Sequence, residues 1–213
     1  MNIEDPTHRT VAHYEQSAVE FQQGTKDHDV TQNYAALLDA IRDGGATTPY
    51  TILDVGCGPG RDLAYFGSLG HEAVGLDGSQ AFVEQAQNDT GCKVLKQNFL
   101  NMDLPPGAFH GIFANASLFH VPSDNLSHVL NQLAETLKPN GVLFSSNPRG
   151  NNQEGWQDER YCVFHDYPAW ADFMVGAGFI EIHHYYRPEG LPREQQPWLA
   201  SVWRKVSLNV AVE

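Results

Sequence analysis

Apolar positions change their period along the chain. Tyr34, Leu37, Leu38 and Ile41 recur at i, i+3, i+4 and i+7, one face of a helix. Gly44–Pro49 (GGATTP) then reads as a loop. Beyond it, short β-rich runs alternate with helical segments. Thr51–Val55, Ala73–Asp77, Cys92–Leu95, Gly111–Asn115 and Gly141–Ser146 are strand candidates. Leu63–Leu69 is a helix between the first two, and the Ser79 hydroxyl is placed to cap the next. The strongest helix carries Leu126, Val129, Leu130, Leu133 and Leu137, with Ser123 or Asp124 as cap and Lys138, Pro139 and Gly141 as stop. Pro168 lies early in a further helix ending near Gly176–Gly178. Ile180–Tyr186 and Leu199–Val206 are two more strands, joined without a helix by the proline- and charge-rich loop Arg187–Pro197. Strands separated by helices imply parallel pairing with right-handed crossovers. The expected fold is a three-layer α/β sandwich closed by an antiparallel hairpin.

A chain of 213 residues, 41% of them hydrophobic, suits a single domain with its own core. Against 13 Lys and Arg stand 26 Asp and Glu, a net charge of −13. A nucleic-acid or anionic-membrane partner would need a basic face, so neither is expected. The first twenty residues include Glu4, Asp5, His8, Arg9 and His13 and hold no apolar leader. No apolar run approaches a membrane span. Cys57, Cys92 and Cys162 are odd in number and lack metal spacing, which fits reduced thiols in a cytoplasmic protein. The histidines form no metal-binding spacing with a supporting carboxylate, and no metal site is expected.

Leu53-Asp-Val-Gly-Cys-Gly-Pro-Gly-Arg-Asp62 follows the first strand, and its glycines permit a tight turn and close backbone approach to a ligand. Asp77 ends the second strand, where a carboxylate can accept from ribose hydroxyls. Together they are a nucleoside-binding pattern. The spacing is G-x-G-x-G, preceded by Asp54, rather than the dinucleotide G-x-G-x-x-G. It resembles motif I of class I S-adenosylmethionine (SAM)-dependent methyltransferases, and the resemblance runs from about residue 12 to 147. The resemblance implies a Rossmann-like methyltransferase sandwich, mostly parallel and seven-stranded, that uses SAM and releases S-adenosylhomocysteine. It assigns cofactor contacts to Asp54, Gly56, Cys57, Gly58, Gly60, Arg61 and Asp62 in the loop. Asp77, Gly78 and Ser79 would lie at the ribose, and Asn98, Phe99 and Leu100 at adenine. Asn115, Ala116 and Ser117 would line the methionine part. The family often has an acid where Asn98 stands. Residues 1–45 would form a helical cap over the cofactor on a 50–213 core, with Tyr14, Phe21 and Thr25 as contacts.

Four further stretches are unusual: Gly24–Asn33, Ala114–Pro122, Asn147–Trp156 and Tyr185–Trp198. Together they resemble the methyltransferase domain of ovothiol synthases. That resemblance implies methylation of an imidazole nitrogen of 5-thiohistidine to ovothiol A, with a separate sulfoxide synthase in the same pathway. The contacts to such an amino acid are read from chemistry. A carboxylate wants arginine, and Arg149, Arg187 and Arg193 are candidates. Asp27, Asp29, Asn33 and Glu154 could hold the ammonium. Phe119, Trp156, Tyr185 and Tyr186 could wall the ring, and Asn147 is a further substrate contact. His120 is the first candidate base and His28 the second, since imidazole titrates near neutrality. His183 and His184 point to opposite faces of a strand. Each has a plainer reading: His120 as an orienting wall, Asp29 as a helix cap, Trp156 as loop packing, Arg193 as surface charge and Cys57 as a small packing residue. Three alternatives stay open: a methyltransferase for another small polar metabolite, a SAM-binding regulator without chemistry, and an NAD-linked oxidoreductase.

Overall fold

A computed structural model describes residues 6–25 and 27–206. Three helices come first: α1 (Pro6–Gln16), α2 (Ala18–Thr25) and α3 (Thr31–Asp43). Then β1 (Thr51–Val55), α4 (Arg61–Ser68), β2 (Glu72–Asp77), α5 (Gln80–Thr90), β3 (Lys93–Lys96), β4 (Phe109–Asn115), α6 (Ser123–Thr136) and β5 (Leu137–Pro148) alternate. A two-stranded hairpin, β6 (Gln153–Gln157) and β7 (Arg160–Phe164), stands apart from the main sheet. The last elements are α7 (Tyr167–Gly176), β8 (Phe179–Arg187) and β9 (Trp198–Lys205).

The seven-stranded sheet has the order β3-β2-β1-β4-β5-β9-β8. The first five strands pair in parallel, and β9 runs antiparallel to both β5 and β8. This is a Rossmann-like sheet. Alternation along each strand sends side chains to opposite faces. Leu53, Val55 and Ile112 join Leu126, Leu130 and Trp170 on one face. Ile52, Phe113 and Phe144 join Leu37, Ile41 and Leu63 on the other. Phe113 and Phe144 stack at 4.9 Å, and truncating either to alanine would cost about 3–5 kcal/mol. Order reverses between β1 and β4, so the crevice beyond their carboxyl ends is where an α/β sheet binds ligands.

Local differences from the sequence pattern have physical causes. Neither Ser123 nor Asp124 caps α6; the Ser123 amide donates instead to Glu154 Oε2 at 3.0 Å, from the hairpin. α6 stops at Thr136 ahead of Lys138, and Leu137 already pairs with Phe109 in β5. Lys138–Gly141 form an excursion before Val142 resumes pairing with Gly111. Ser79 does cap α5, accepting from the Phe82 amide at 3.3 Å. Val30, not Asp29, holds the N-cap position of α3, without a side-chain cap; Asp29, one residue earlier, accepts from the Thr31 amide at 2.9 Å. Among the described residues no helix is long and apolar enough to cross a membrane.

Candidate active site

A cavity opens at the switch point. Its floor comes from the strand ends. Gly56 follows β1 with φ +73, and a Cβ there would fall 2.5 Å from Ser117 Cβ, so glycine is required on both counts. Ala116 follows β4 at φ 59, a conformation uncommon outside glycine and characteristic of functional turns. Ser117 Oγ beside it is buried without a hydrogen-bond partner.

Asp77 lies at one end. Its carboxylate accepts from the Gly58 amide and the Ser79 amide, each at 2.9 Å. Burial nevertheless pushes its pKa up to about 6, against the pull of those amides. Two engaged amides leave carboxylate lone pairs free for hydroxyl donors. Gln97, Asn98 and Phe99 continue this wall. The Asn98 amide nitrogen donates to Thr7 Oγ1 at 2.6 Å.

Helix α1 forms the roof, presenting Thr7, Thr10, Val11 and Tyr14, with Phe21 and Phe82 beside them. Polar contacts hold it down. Glu15 accepts from Ser79 Oγ at 2.6 Å and from the Ala81 amide at 3.1 Å. Thr10 Oγ1 accepts from the Tyr161 amide at 2.9 Å, and Arg9 pairs with Glu159 at 2.6 Å.

His120 closes the far end. Its Nδ1 sits 2.7 Å from the Tyr161 carbonyl, which can only accept, so Nδ1 carries the proton. Nε2 then accepts from the Tyr14 hydroxyl at 2.8 Å. Burial lowers the His120 pKa to about 4, so the ring is neutral near pH 7 and its lone pair is engaged. This geometry makes His120 a support for Tyr14 rather than a free base. Burial also raises the Tyr14 pKa, so the phenol keeps its proton.

The structure thus brings Tyr14, Gly56, Asp77, Gly78, Asn98, Phe99, Ala116, Ser117 and His120 to one cavity. Others of the expected set lie outside its lining. Arg61 forks onto Asp62 at 2.6 and 3.1 Å, and Tyr34 donates to the same carboxylate at 2.5 Å. Arg61 also donates to the Thr25 carbonyl, while Thr25 Oγ1 bonds back to Phe21 O. These contacts staple α2 and α3 to α4. Asp54 is fully buried with Oδ2 unpartnered, and burial beside Asp62 drives its pKa well up. Cys57 is buried against Gly75, and its thiol pKa is raised by burial, which suits packing and not attack. Gly60, at φ +94, abuts Ala86. Leu100 packs against the core, and Asn115 Oδ1 accepts from Asn33 at 3.0 Å. Asn33 in turn accepts from the Tyr185 hydroxyl at 2.9 Å.

The expected substrate arginines are occupied elsewhere. Arg149 donates to the Gln196 carbonyl at 2.7 Å and to the Arg193 carbonyl, and Arg187 to the Asp29 carbonyl. Arg193 lies over the Tyr186 ring. His28 and Asp27 are exposed and line neither void described here. Trp156 is 41% exposed on the hairpin under Arg9. His184 pairs with Glu181 at 2.6 Å and His183 stacks near Tyr185, so both are accounted for structurally. Phe119 and Asn147 line a smaller recess. Sequence reading missed Thr7, Thr10, Val11, Phe82 and Gln97 in the cavity, although Thr7, Thr10, Val11 and Tyr14 follow the i, i+3, i+4, i+7 rule. Among the described residues no cluster of His, Cys, Asp and Glu is placed to hold a metal.

A glycine-cradled crevice with an acid at the neighbouring strand's end is the cofactor site of class I SAM-dependent methyltransferases, and the chain belongs to that family. A model described as a methyltransferase domain matches residues 52–141. An uncharacterized methyltransferase of Schizosaccharomyces pombe is 30% identical over 107 residues, covering 41% of this chain and 74% of that protein. Sterol 24-C-methyltransferase of Candida albicans is 33% identical over 102 residues; the match spans 43% of this chain but only 26% of that enzyme. The 1,6-didemethyltoxoflavin-N1-methyltransferase of Burkholderia thailandensis, solved with 1,6-didemethyltoxoflavin and S-adenosylhomocysteine, covers 97% of this chain and 93% of its own at TM-score 0.67 and 22% identity. A SAM-dependent methyltransferase from Mesorhizobium loti covers 80% of this chain and 98% of its own at TM-score 0.63 and 19% identity. The cofactor is SAM, and the NAD-linked alternative falls away. The residues present fit it. The Gly56 cradle would be filled by a Cβ, Ser117 Oγ waits unpartnered, and Asp77 keeps free lone pairs.

Proposed function

We propose that this enzyme methylates an imidazole nitrogen of 5-thiohistidine to give ovothiol A. Asp77 would hold the ribose hydroxyls, Asn98 and Phe99 the adenine, and Ala116 and Ser117 the methionine end. Bound there, SAM supplies a methyl group on a sulfonium already reactive enough that alignment provides most of the acceleration. The observation that carries the reading is the neutral Tyr14–His120 pair on the cavity wall. An uncharged pair suits an uncharged ring nitrogen as acceptor better than a carboxylate or phosphate oxygen. Tyr14 donates its proton to His120 while its oxygen meets the Arg160 guanidinium, so the phenol is held in place as a wall against which a ring can be aligned with the methyl group. Two things support the substrate class: the resemblance of the loops to ovothiol synthases, and a structural neighbour named for methylating N1 of its substrate.

With Arg149 and Arg187 engaged on carbonyls, the group offered to the substrate carboxylate is Arg160 on β7. Its guanidinium interacts with the Tyr14 hydroxyl, and its Nε is buried without a partner. The same proposal includes a cytoplasmic setting and a separate sulfoxide synthase as the source of the acceptor. Labelled SAM with a panel of amino-acid and heteroaromatic acceptors tests it. Methyl transfer to 5-thiohistidine is expected; transfer to another metabolite with none to 5-thiohistidine rejects the assignment.

A further inference from the structure

SAM carries its methyl group on a positively charged sulfur, and among the residues lining the cavity Asp77 is the one carboxylate. Its oxygens already meet the Gly58 and Ser79 amides, and in the reading above they also hold ribose hydroxyls. His120 is neutral near pH 7 and pairs with Tyr14. Asp54 lies outside the lining, and burial pushes it toward its uncharged form. A cation taken out of water without compensation is costly, so the sulfonium needs another source of stabilisation.

What the cavity presents instead is aromatic. Tyr14, Phe21 and Phe82 line it as one cluster. Phe21 stands 5.4 Å from Tyr14 at 86° and 5.4 Å from Phe82 at 56°. It comes from α2 and lies against the glycine loop, where a Cβ on Gly58 would fall 3.7 Å from its Cε1. Phe82 belongs to the first turn of α5. The positive end of that helix would repel a cation, but the Glu15 carboxylate covers it by accepting from the Ala81 amide. Tyr14 is the least available of the three, because its hydroxyl already meets the Arg160 guanidinium. An aromatic ring draws a cation to its face through its quadrupole, most strongly where water is excluded.

We propose that Phe21 and Phe82 recognise the sulfonium charge of SAM, so that the site distinguishes the charged methyl donor from its uncharged product. When the methyl group leaves, the bonding pair stays on sulfur and the positive charge passes to the acceptor. S-adenosylhomocysteine then lacks this contribution to its binding. The inference holds for any acceptor and does not depend on 5-thiohistidine. It is tested by calorimetry with SAM and with S-adenosylhomocysteine, each titrated alone. Site-specific 3,4,5-trifluorophenylalanine at position 21 or 82 withdraws negative potential from the ring face and keeps the ring's shape. Each replacement should weaken SAM about three- to tenfold, with S-adenosylhomocysteine affinity held within about twofold and the melting temperature unchanged. Phe21→Leu should narrow the preference for SAM in the same direction. Equal losses for the two ligands, or SAM affinity unmoved by fluorination at both positions, overturn the proposal. A ring effect in an enzyme that turns over no 5-thiohistidine keeps this inference and discards the substrate assignment.

Discussion

Replacing Tyr14 by Phe tests whether the roof and the far end of the cavity are coupled through one hydrogen bond. The hydroxyl lies 2.8 Å from His120 Nε2. Removing it strands a buried imidazole lone pair, a loss of about 1–3 kcal/mol. For a chain of this size that is roughly 2–4 °C of melting temperature per kcal/mol. His120→Leu strands two groups, the Tyr14 hydroxyl and the Tyr161 carbonyl, and should cost more. In Tyr14→Phe/His120→Leu the shared bond is lost only once, so the double variant should be about 1–2 kcal/mol more stable than the singles sum to. Denaturant melts at several pH values supply the numbers. His120 is held near pKa 4 in the fold against about 6.5 unfolded. A depressed pKa means its contribution is complete above pH 6.5 and is lost as pH falls toward 4, about 3 kcal/mol in all. His120→Leu should lack that part of the acid sensitivity. Additivity of the two single changes within about 0.5 kcal/mol, or identical pH slopes with and without His120, would refute the coupled neutral pair.

Asp77→Asn should abolish most S-adenosylhomocysteine binding by calorimetry. In the unaltered enzyme, affinity should climb with pH and level off above about 6, where burial has placed the Asp77 pKa. Because that pKa is raised, Asp77 adds stability below pH 3.8 that disappears as pH rises through 6, a slope the Asn variant should not show in melts without ligand. Glu15→Gln should release α1 from the start of α5, speeding limited proteolysis within residues 6–16 and weakening S-adenosylhomocysteine severalfold. Its carboxyl pKa is lowered chiefly by the Ser79 hydroxyl, so the latch holds above pH 4.5 and lets go in acid. Gly56→Ala, which drives a Cβ to 2.5 Å from Ser117 at φ +73, should bind no S-adenosylhomocysteine and melt several degrees lower.

Most of the sheet was readable because burial on both faces writes near-continuous apolar runs such as TILDV and GVLFSS. The glycine loop was readable because only glycine tolerates its dihedrals. The β6–β7 hairpin left no such trace. Its first strand, QEGWQ, has no buried residue, and it turns at Asp158–Glu159 without an Asn-Gly or Asp-Gly pair. Yet that hairpin carries Arg160, supplies the carbonyl that sets the His120 tautomer and caps α6 through Glu154. Each is a long-range contact that no local pattern encodes. The arginines answer a related need. Pro188, Pro192 and Pro197 lack N–H groups, so their loop has carbonyls in want of donors, and Arg149 answers that need. Charge in an unusual loop can serve backbone satisfaction as readily as ligand chemistry.

The position of β9 bears on how the molecule is made. β9 follows both of its neighbours in the chain, yet it is an interior strand, bonded to β5 on one side and β8 on the other. Until Lys205 clears the ribosome, both neighbours expose unpaired edges able to recruit another chain. Assembly of that half of the sheet must therefore wait for β9, and nascent chains cut short before Trp198 should aggregate or be degraded rather than fold as smaller enzymes.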